Sequence, residues 1–484
     1  METCSLARIM RLQHLAMYRR KLCSLVFRSL PRLHLGFPPS SVRKFFRDEH
    51  VHAALTETKM AATLPELPQD ILMVIFAALE IPDLVRAGSV CSSWHSAYAE
   101  LRTLGKYKQG QTPCLVYASE SDPDDVLSLY SLAEKRSYKL TLPQPPIRSR
   151  YLIGSSYGWL VTVDERSEMH LLNPITCEQI ALPSVSTIEH VKPKFDEYGD
   201  VCNYEMSWHT GTRSSRKPPS IFALAELRDI LQRKAFVFPD TTTGSYIVVL
   251  IHNPQSQLSF ARAGDDKWTW LPPHPIYLKT TRGVSSSYLH DDCIYKDVIL
   301  YAVNLKGEFH TFDLSGPVVT VKTITMIPEH YDCCSRYIVQ APWGRLLLVF
   351  RIVHDHDLEP QPGSSEYWKT TEIKICEIDA LWNKTEVINC LRDHVLFLGH
   401  NLSLCLSADE YPALKANRSY FTDDNFLWTV GHKNNHRDMG ILSLDDNSKE
   451  ELLSPQLWSN CPAPMWIIPD LRKINAMGSM SQQL

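Results

Sequence analysis

The segment LPQDILMVIFAALEIPDL, residues 67–84, decides the fold of the first patterned part of this 484-residue chain. Pro68 suits the first turn of a helix, where its missing N–H has no partner to lose, and Asp70 places negative charge near the positive helix end. Large apolar residues recur at helical spacing along two lines: Leu67, Ile71, Val74/Ile75 and Leu79 on one, Leu72 and Phe76 on the other. The spacing predicts a helix that is apolar over more than half of its circumference.

Two further helices are predicted directly after it. Ile81-Pro82-Asp83 ends the first helix, and Pro82 suits the start of a second one that Gly88 ends. The segment VCSSWHSAYAELRTL, residues 90–104, then places apolar side chains along one side: Val90, Cys91, Trp94, Tyr98 and Leu101. So short a chain cannot bury this much apolar surface by itself. The excess must therefore contact either the rest of the chain or a partner protein.

The order and intervals of these residues resemble an F-box over roughly residues 64–105. The residues that carry the resemblance are Leu67-Pro68, Asp70-Ile71-Leu72, Ile75-Phe76, Leu79, Pro82-Asp83-Leu84, Val90-Cys91 and Trp94. In that family the F-box binds the Skp-type adaptor of a cullin-RING ubiquitin ligase. The resemblance implies that eleven residues form the apolar interface or support it directly: Leu67, Pro68, Ile71, Leu72, Ile75, Leu79, Pro82, Leu84, Val90, Cys91 and Trp94. The alternative is that these helices pack on the rest of the chain.

This chain departs from the F-box pattern next to Cys91 and Trp94. Ser92, Ser93 and His95 stand where F-boxes often have Lys or Arg. We therefore expect weaker polar contacts at that edge of the interface.

After Leu104 the helical periodicity gives way to short β-rich runs separated by Gly, Asn-Pro, Asp-Asp and Pro-Pro, which is typical of an all-β architecture. A loose repeat relates residues 157–183 to residues 245–272; each contains Asn-Pro and closes on Leu-Pro. Units of about forty to fifty residues are typical of propeller blades. Residues 113–471 would accommodate about six or seven such blades, and an array of β-sandwiches is the alternative.

Residues 185–240 interrupt this pattern. The first part is polar and predicts a long loop, and the spacing of Leu224, Leu227 and Leu231 then predicts one short helix. Long insertions on a propeller often form its binding face, although this one can equally be passive.

The chain from about residue 64 to residue 471 resembles the plant F-box family with a Kelch-like propeller of the KIB type. The segments that carry the resemblance are residues 154–176, 227–238, 420–425 and 462–471. The chain departs from this family at Cys177, because its Asn-Pro-x-Thr turn is usually followed by Gly. A residue other than Gly at that position must avoid positive φ or accept strain. The resemblance implies a substrate receptor and identifies no target.

The N-terminal segment differs in composition from the rest. Residues 1–50 carry ten basic and three acidic side chains. This composition fits an organelle transit peptide, and residues 1–60 can equally be a disordered or untranslated leader, since Met60 opens the first patterned segment. At the other end, residues 472–484 are predicted to be a disordered tail.

Charge and cysteine usage limit the function classes. A formal net charge of -4 argues against a dedicated nucleic-acid binder. The sequence contains no run of eighteen apolar residues, so no membrane span is predicted. The thirteen cysteines contain no C-x-x-C pair, which predicts reduced thiols and a place in the cytoplasm or nucleus. The glycosylation sequons at Asn383, Asn401 and Asn417 would then be unused.

No catalytic motif is present, so we predict no catalytic residue, cofactor or metal. The run HDHD at residues 354–357 predicts a solvated loop, and Trp268 and Trp270 predict the core of a blade. Three Asp-Asp pairs, at residues 291–292, 423–424 and 445–446, are expected in turns rather than as paired catalytic carboxylates.

Three functions remain open. In the first, the chain is a non-catalytic adaptor that joins a ligase to a target. In the second, it is a propeller enzyme or ligand sensor whose F-box controls the abundance of the chain itself. In the third, it is an interaction protein outside a ligase, organellar if the leader is a targeting signal.

Overall fold

The computed structural model describes residues 67–209, 217–240, 242–271, 289–305, 307–316, 319–324, 334–354, 369–379, 384–424, 437–452 and 462–472. The chain divides into a helical unit that ends at Gln109 and a unit that begins at Gly110 and is almost entirely β. This division confirms the predicted fold class. The predicted leader and all but the first residue of the predicted tail lie outside the described residues.

The helical unit contains the three predicted helices: α1 (Gln69–Phe76), α2 (Ile81–Ala87) and α3 (Ser92–Leu104). Pro68 directly precedes α1, and Pro82 lies in the first turn of α2, where a missing N–H costs no hydrogen bond. Gly88 follows α2 beside Tyr98 of α3. A Cβ at this position would lie 2.7 Å from Tyr98 Cγ, so only glycine allows the end of α2 to approach α3 this closely.

The β-unit contains six sheets of four or five strands among its described residues, and we call these sheets blades. Blade I contains β1 (Cys114–Tyr117), β2 (Val126–Ser131) and β3 (Arg136–Thr141); blade II contains β4 (Tyr151–Ser156), β5 (Trp159–Val163), β6 (Met169–Leu172) and β7 (Gln179–Ala181). An added sheet follows, with β8 (Val191–Phe195), β9 (Val201–Met206) and β10 (Ser220–Ala223).

Blades III to VI follow in chain order. Blade III contains β11 (Gln232–Asp240), β12 (Ser245–His252), β13 (Gln257–Arg262) and β14 (Thr269–Leu271); blade IV contains β15 (His290–Lys296), β16 (Ile299–Asn304), β17 (Phe309–Asp313) and β18 (Thr320–Ile324). Blade V contains β19 (Cys334–Gln340), β20 (Leu346–His354), β21 (Lys369–Asp379) and β22 (Lys384–Ile388). Blade VI contains β23 (His394–Leu398), β24 (Leu404–Ser407), β25 (Arg418–Phe421), β26 (Gly440–Ser443) and β27 (Lys449–Glu450).

The last strand closes the ring. β28 (Met465–Ile467) pairs antiparallel with β1, so blade I is built from both ends of the β-unit. The innermost strands β28, β4, β11, β15, β19 and β24 contact one another in that order. Blades VI and I share a core that contains Phe397, Tyr420 and Trp466. These contacts form a six-bladed propeller, at the lower end of the predicted blade number, and not an array of sandwiches.

The prediction of a long loop within residues 185–240 is wrong. β8, β9 and β10 form an antiparallel three-stranded sheet, in which Val191 pairs with Met206. Val191, Tyr204 and Met206 are buried, whereas the apolar side chains of Phe195 and Ile221 are 60% and 56% exposed, so apolar residues do not mark one buried face and the strand pattern is weak. The predicted helix is a single turn, α4 (Leu224–Leu227), and residues 232–240 already form the first strand of blade III.

Of the two alternatives that the sequence allowed for Cys177, avoiding a positive φ or accepting one with strain, the structure shows the second. The φ of Cys177 is +57°, a left-handed conformation that normally favours glycine. Asn173 Oδ1 accepts hydrogen bonds from the N–H groups of Ile175 and Thr176, and Cys177 Sγ lies 3.4 Å from the carbonyl oxygen of Thr141. The turn is therefore held by its own hydrogen bonds while one residue stays strained.

Candidate functional site

The eleven residues predicted at the adaptor interface separate into three groups by exposure. Leu67, Pro68, Ile71, Val90 and Cys91 are exposed; Ile75, Leu79 and Trp94 are half-buried; Leu72, Pro82 and Leu84 are buried. The large apolar side chains of Leu67, Ile71 and Val90 are 37%, 44% and 41% exposed. Only the first two groups present surface to a partner, and the buried group supports them from beneath.

The buried residues hold the exposed ones in place. Leu72 and Phe76 are each 1% exposed, and the Phe76 ring lies edge-on to Trp94 with centroids 5.3 Å apart. Gln69 Nε2 donates to Glu100 Oε2 at 3.0 Å, which joins the start of α1 to α3. The exposed apolar side chains of α1 therefore lie on a helix fixed by its neighbour.

Val74 was not among the predicted interface residues, yet it is 56% exposed. It lies three residues after Ile71, so these two side chains share one side of α1, and Leu67 is exposed two residues before the helix begins. We call Leu67, Ile71 and Val74 the apolar stripe. Helical spacing was the signal that could have placed Val74 on it.

A second candidate site lies in the propeller channel, where the first residues of β11, β15 and β19 surround a cavity of about 80 Å³. We call it the channel cavity. Its walls are mostly charged or polar: Arg233, Lys234, Ile251, His290, Asp291, Ser335, Arg336, His400 and Asp424.

Asp292 is buried beside this cavity and joins four blades. Its Oδ1 lies 3.1 Å from Lys234 Nζ of blade III, and its Oδ2 accepts from the Ile338 N–H of blade V at 3.0 Å. Ser403 of blade VI donates to the same oxygen at 3.3 Å. The prediction of a turn at residues 291–292 is therefore wrong: both residues belong to β15, where burial raises the pKa of each carboxyl group.

Arg351 holds two carboxylates, Asp424, which lines the cavity, and Asp438, which lies just before β26 of blade VI. Its Nη1 lies 3.0 Å from Asp424 Oδ1 and its Nη2 lies 2.9 Å from Asp438 Oδ2. Burial alone would raise the pKa of Asp438, but Arg351 and Lys449 outweigh it and lower this pKa to about 2. Asp424 likewise keeps a pKa below its ordinary value, against burial, chiefly because of Arg351.

Burial governs the remaining groups around the cavity. It raises the pKa of Asp291 to about 7, although Arg336 Nη1 lies 3.4 Å from Asp291 Oδ2. It lowers the pKa of His400 to about 4, and it also lowers that of Arg233. At neutral pH His400 is therefore uncharged.

The remaining predicted residues lie elsewhere. Trp268 is buried in the core between blades II and III, as expected, whereas Trp270 is half-buried against His190. Asp446 accepts from Ser448 in a turn, as predicted for residues 445–446. Most of HDHD lies outside the described residues.

Two features are absent from the described residues. These residues contain no group of three or more His, Cys, Asp or Glu placed to hold a metal ion. None of their helices combines the length and the apolar content that a membrane span requires.

Comparison with known proteins gives matches in both units. A family model described as KIB1-4 beta-propeller matches residues 129–443, which is more than half of the chain, and an F-box-like model matches residues 64–101. The chain is 24% identical over 372 residues to F-box protein KIB4 of Arabidopsis thaliana, covering 76% of this chain and 84% of the relative. It is also 24% identical over 404 residues to the F-box/kelch-repeat protein KIB1 of the same plant, covering 81% and 85% of the two chains.

Proposed function

Because the chain belongs to the KIB1-4 β-propeller family and has an F-box-like helical unit, we propose that it is a substrate-recognition subunit of an SCF-type cullin-RING ubiquitin ligase. In this proposal the helical unit binds a Skp-type adaptor and, through it, a cullin. The propeller binds the target protein. The chain itself is not an enzyme, because the transfer of ubiquitin is performed by other subunits.

The observation that carries the proposal is the apolar stripe. Leu67 lies two residues before α1 and is 37% exposed, and Ile71 and Val74 are 44% and 56% exposed on α1, whose opposite side is buried. Burying one such side chain against a partner contributes roughly 1.5–3 kcal/mol before the cost of association is counted. A solvent-exposed line of this kind is typical of a helix that docks into an apolar groove.

The function follows from joining two binding units in one chain. A target held on the propeller has a high effective concentration near a ligase bound at the helical unit. Ubiquitin transfer is then accelerated without any catalytic group in this chain. The identity of the target depends on the propeller loops, which fold class alone does not specify.

The test is adaptor co-purification with the double variant Leu67→Ala/Pro68→Ala. Both residues are exposed, so we expect the helices to stay folded while the adaptor and cullin are lost from the purified complex. Leu104→Ala is the matched control, because Leu104 is 49% exposed on α3 but outside the predicted interface. Undiminished adaptor binding by the double variant would falsify the proposal.

We propose the cytoplasm, the nucleus or both as the location, since cullin-based ligases act there. The basic leader leaves an organellar location as the competing hypothesis. A fluorescent protein fused to residues 1–60 decides between them, because import into an organelle contradicts a cytoplasmic or nuclear location.

A further inference from the structure

We propose that the channel cavity binds a single oxyanion group, a carboxylate or a phosphate, through the guanidinium group of Arg233. The cavity and its charges carry this proposal, whether or not the chain works in a ligase. Only the idea that a ligase target supplies the oxyanion rests on the proposed function.

Arg233 differs from the other cations of the channel. Lys234, Arg336 and Arg351 lie 3.1, 3.4 and 3.0 Å from Asp292, Asp291 and Asp424, respectively. Among the described residues, no carboxylate lies within 4 Å of the Arg233 guanidinium, and its Nη1 donates to the Ser256 hydroxyl at 2.6 Å. A guanidinium has five N–H donors in a planar fork that matches two oxygens of a carboxylate or phosphate.

The charges around the cavity leave one cation in excess. Three cations and two carboxylates line it: Arg233, Lys234 and Arg336 against Asp291 and Asp424. Asp291 reduces the negative charge further, since burial raises its pKa to about 7 and leaves part of it protonated at neutral pH. The resulting positive potential favours an anion over a cation in the cavity.

The size of the cavity limits what can enter. About 80 Å³ is a few times the roughly 30 Å³ that one water molecule occupies in the liquid. This volume accommodates one carboxylate or phosphate group. Ser335, His290 and His400 provide polar walls, so an entering oxyanion exchanges water for protein partners.

The test is isothermal titration calorimetry on the purified full-length protein at constant ionic strength. One arm titrates inorganic phosphate and acetate against chloride, which tests a free ion. The other arm titrates hexaglutamate against hexaglutamine, which tests a carboxylate carried by a polypeptide. We expect saturable binding in at least one arm, and binding about tenfold weaker or worse in Arg233→Met, because the charge-assisted hydrogen bonds are lost.

Two further variants keep the result interpretable. Arg345→Met is the matched control, because Arg345 is half exposed beyond the opposite end of β19, and its binding should equal that of wild type. Arg233→Lys retains the positive charge but lacks the planar guanidinium, so it should bind the oxyanion with intermediate affinity. If thermal melting shows that Arg233→Met does not fold, the affinity of Arg233→Lys tests the proposal in its place.

The two arms separate the sources of the oxyanion. Binding of phosphate or acetate identifies a free ion as sufficient, whereas binding of hexaglutamate alone identifies an acidic side chain of a protein. Absence of saturable binding in both arms, or equal binding by the Arg233 variants and wild type, overturns the proposal. Neither outcome depends on adaptor binding, so failure of the proposed ligase function is a separate result.

Discussion

Lys234 Nζ on β11 lies 3.1 Å from Asp292 Oδ1 on β15, and this ion pair joins blades III and IV inside the channel. The two side chains are 7% and 1% exposed. Removing one member of a buried pair leaves the other charge uncompensated, which typically costs about 3–5 kcal/mol. We expect Lys234→Met to lower the free energy of unfolding of the propeller by that amount in urea titrations.

The ion pair of Lys415 with Glu450 provides the control. These side chains are 56% and 46% exposed, and surface pairs contribute about 1 kcal/mol or less. Lys415→Met should therefore leave the unfolding midpoint almost unchanged. A similar loss in both variants would contradict a special role for the channel pair.

Ile71 and Leu72 are adjacent on α1 but are predicted to act in different ways. Ile71→Glu places a charge on the exposed apolar stripe, so we expect adaptor binding to be lost while the melting temperature of the helical unit is kept. Leu72→Ala creates a cavity beneath the stripe and should destabilise the helical unit by about 2–5 kcal/mol. Co-purification and thermal melting of both variants measure the difference.

A matched substitution on the propeller completes this comparison. Val387 is 56% exposed on blade V, so Val387→Glu introduces the same charge away from the helical unit. It should retain the adaptor. Loss of the adaptor in this variant would show that the Ile71→Glu result reflects a general effect of surface charge.

The helical unit and most blades could be predicted because local patterns determine them. Pro82 and Gly88 mark the ends of α2, and alternating apolar residues mark β12 and β13. The added sheet was missed because its strands mix charged residues with exposed apolar ones such as Phe195 and Ile221, and because it is specified by pairing between β8 and β9, which the sequence does not display.

The channel cavity could not be predicted for a different reason. Asp291 and Asp292 form a dipeptide that is common in turns, and Asp292 is held in the channel by Lys234, Ile338 and Ser403 from three other blades. No local pattern records such contacts. One signal was available in the sequence. The charged pair Asp291-Asp292 directly precedes the apolar run Cys293-Ile294-Tyr295, just as the charged pair Arg233-Lys234 directly precedes the apolar residues 235–238 of β11.

His252 predicts a pH dependence of stability. It is fully buried, with its ring nitrogens 2.8 Å from the Asn253 carbonyl and the Ser259 hydroxyl, and burial lowers its pKa to about 4 from 6.5. The unfolded chain binds a proton between pH 6.5 and 4 while the folded chain does not. Stability contributed by this group is therefore complete above pH 6.5 and is lost as pH falls towards 4, by about 3 kcal/mol.

Urea titrations at pH 7.5, 6 and 5 test this dependence. His252→Gln should be less stable than wild type at pH 7.5 but should lose less stability on acidification. His190 and His400 also have lowered pKa values, so part of the dependence will remain in the variant. Parallel pH profiles for the variant and wild type would contradict the assignment.

Trp466 predicts how strongly the last strand closes the propeller. It is 1% exposed on β28, and its ring lies edge-on to Phe397 of blade VI with centroids 5.1 Å apart. Replacing a buried Trp by Ala typically costs about 3–5 kcal/mol, so Trp466→Ala should lower the unfolding midpoint in urea. Trp343→Ala is the control, because Trp343 is 43% exposed on blade V and its loss should cost less. Equal effects of the two substitutions would show that β28 does not contribute more to closure than a surface position does.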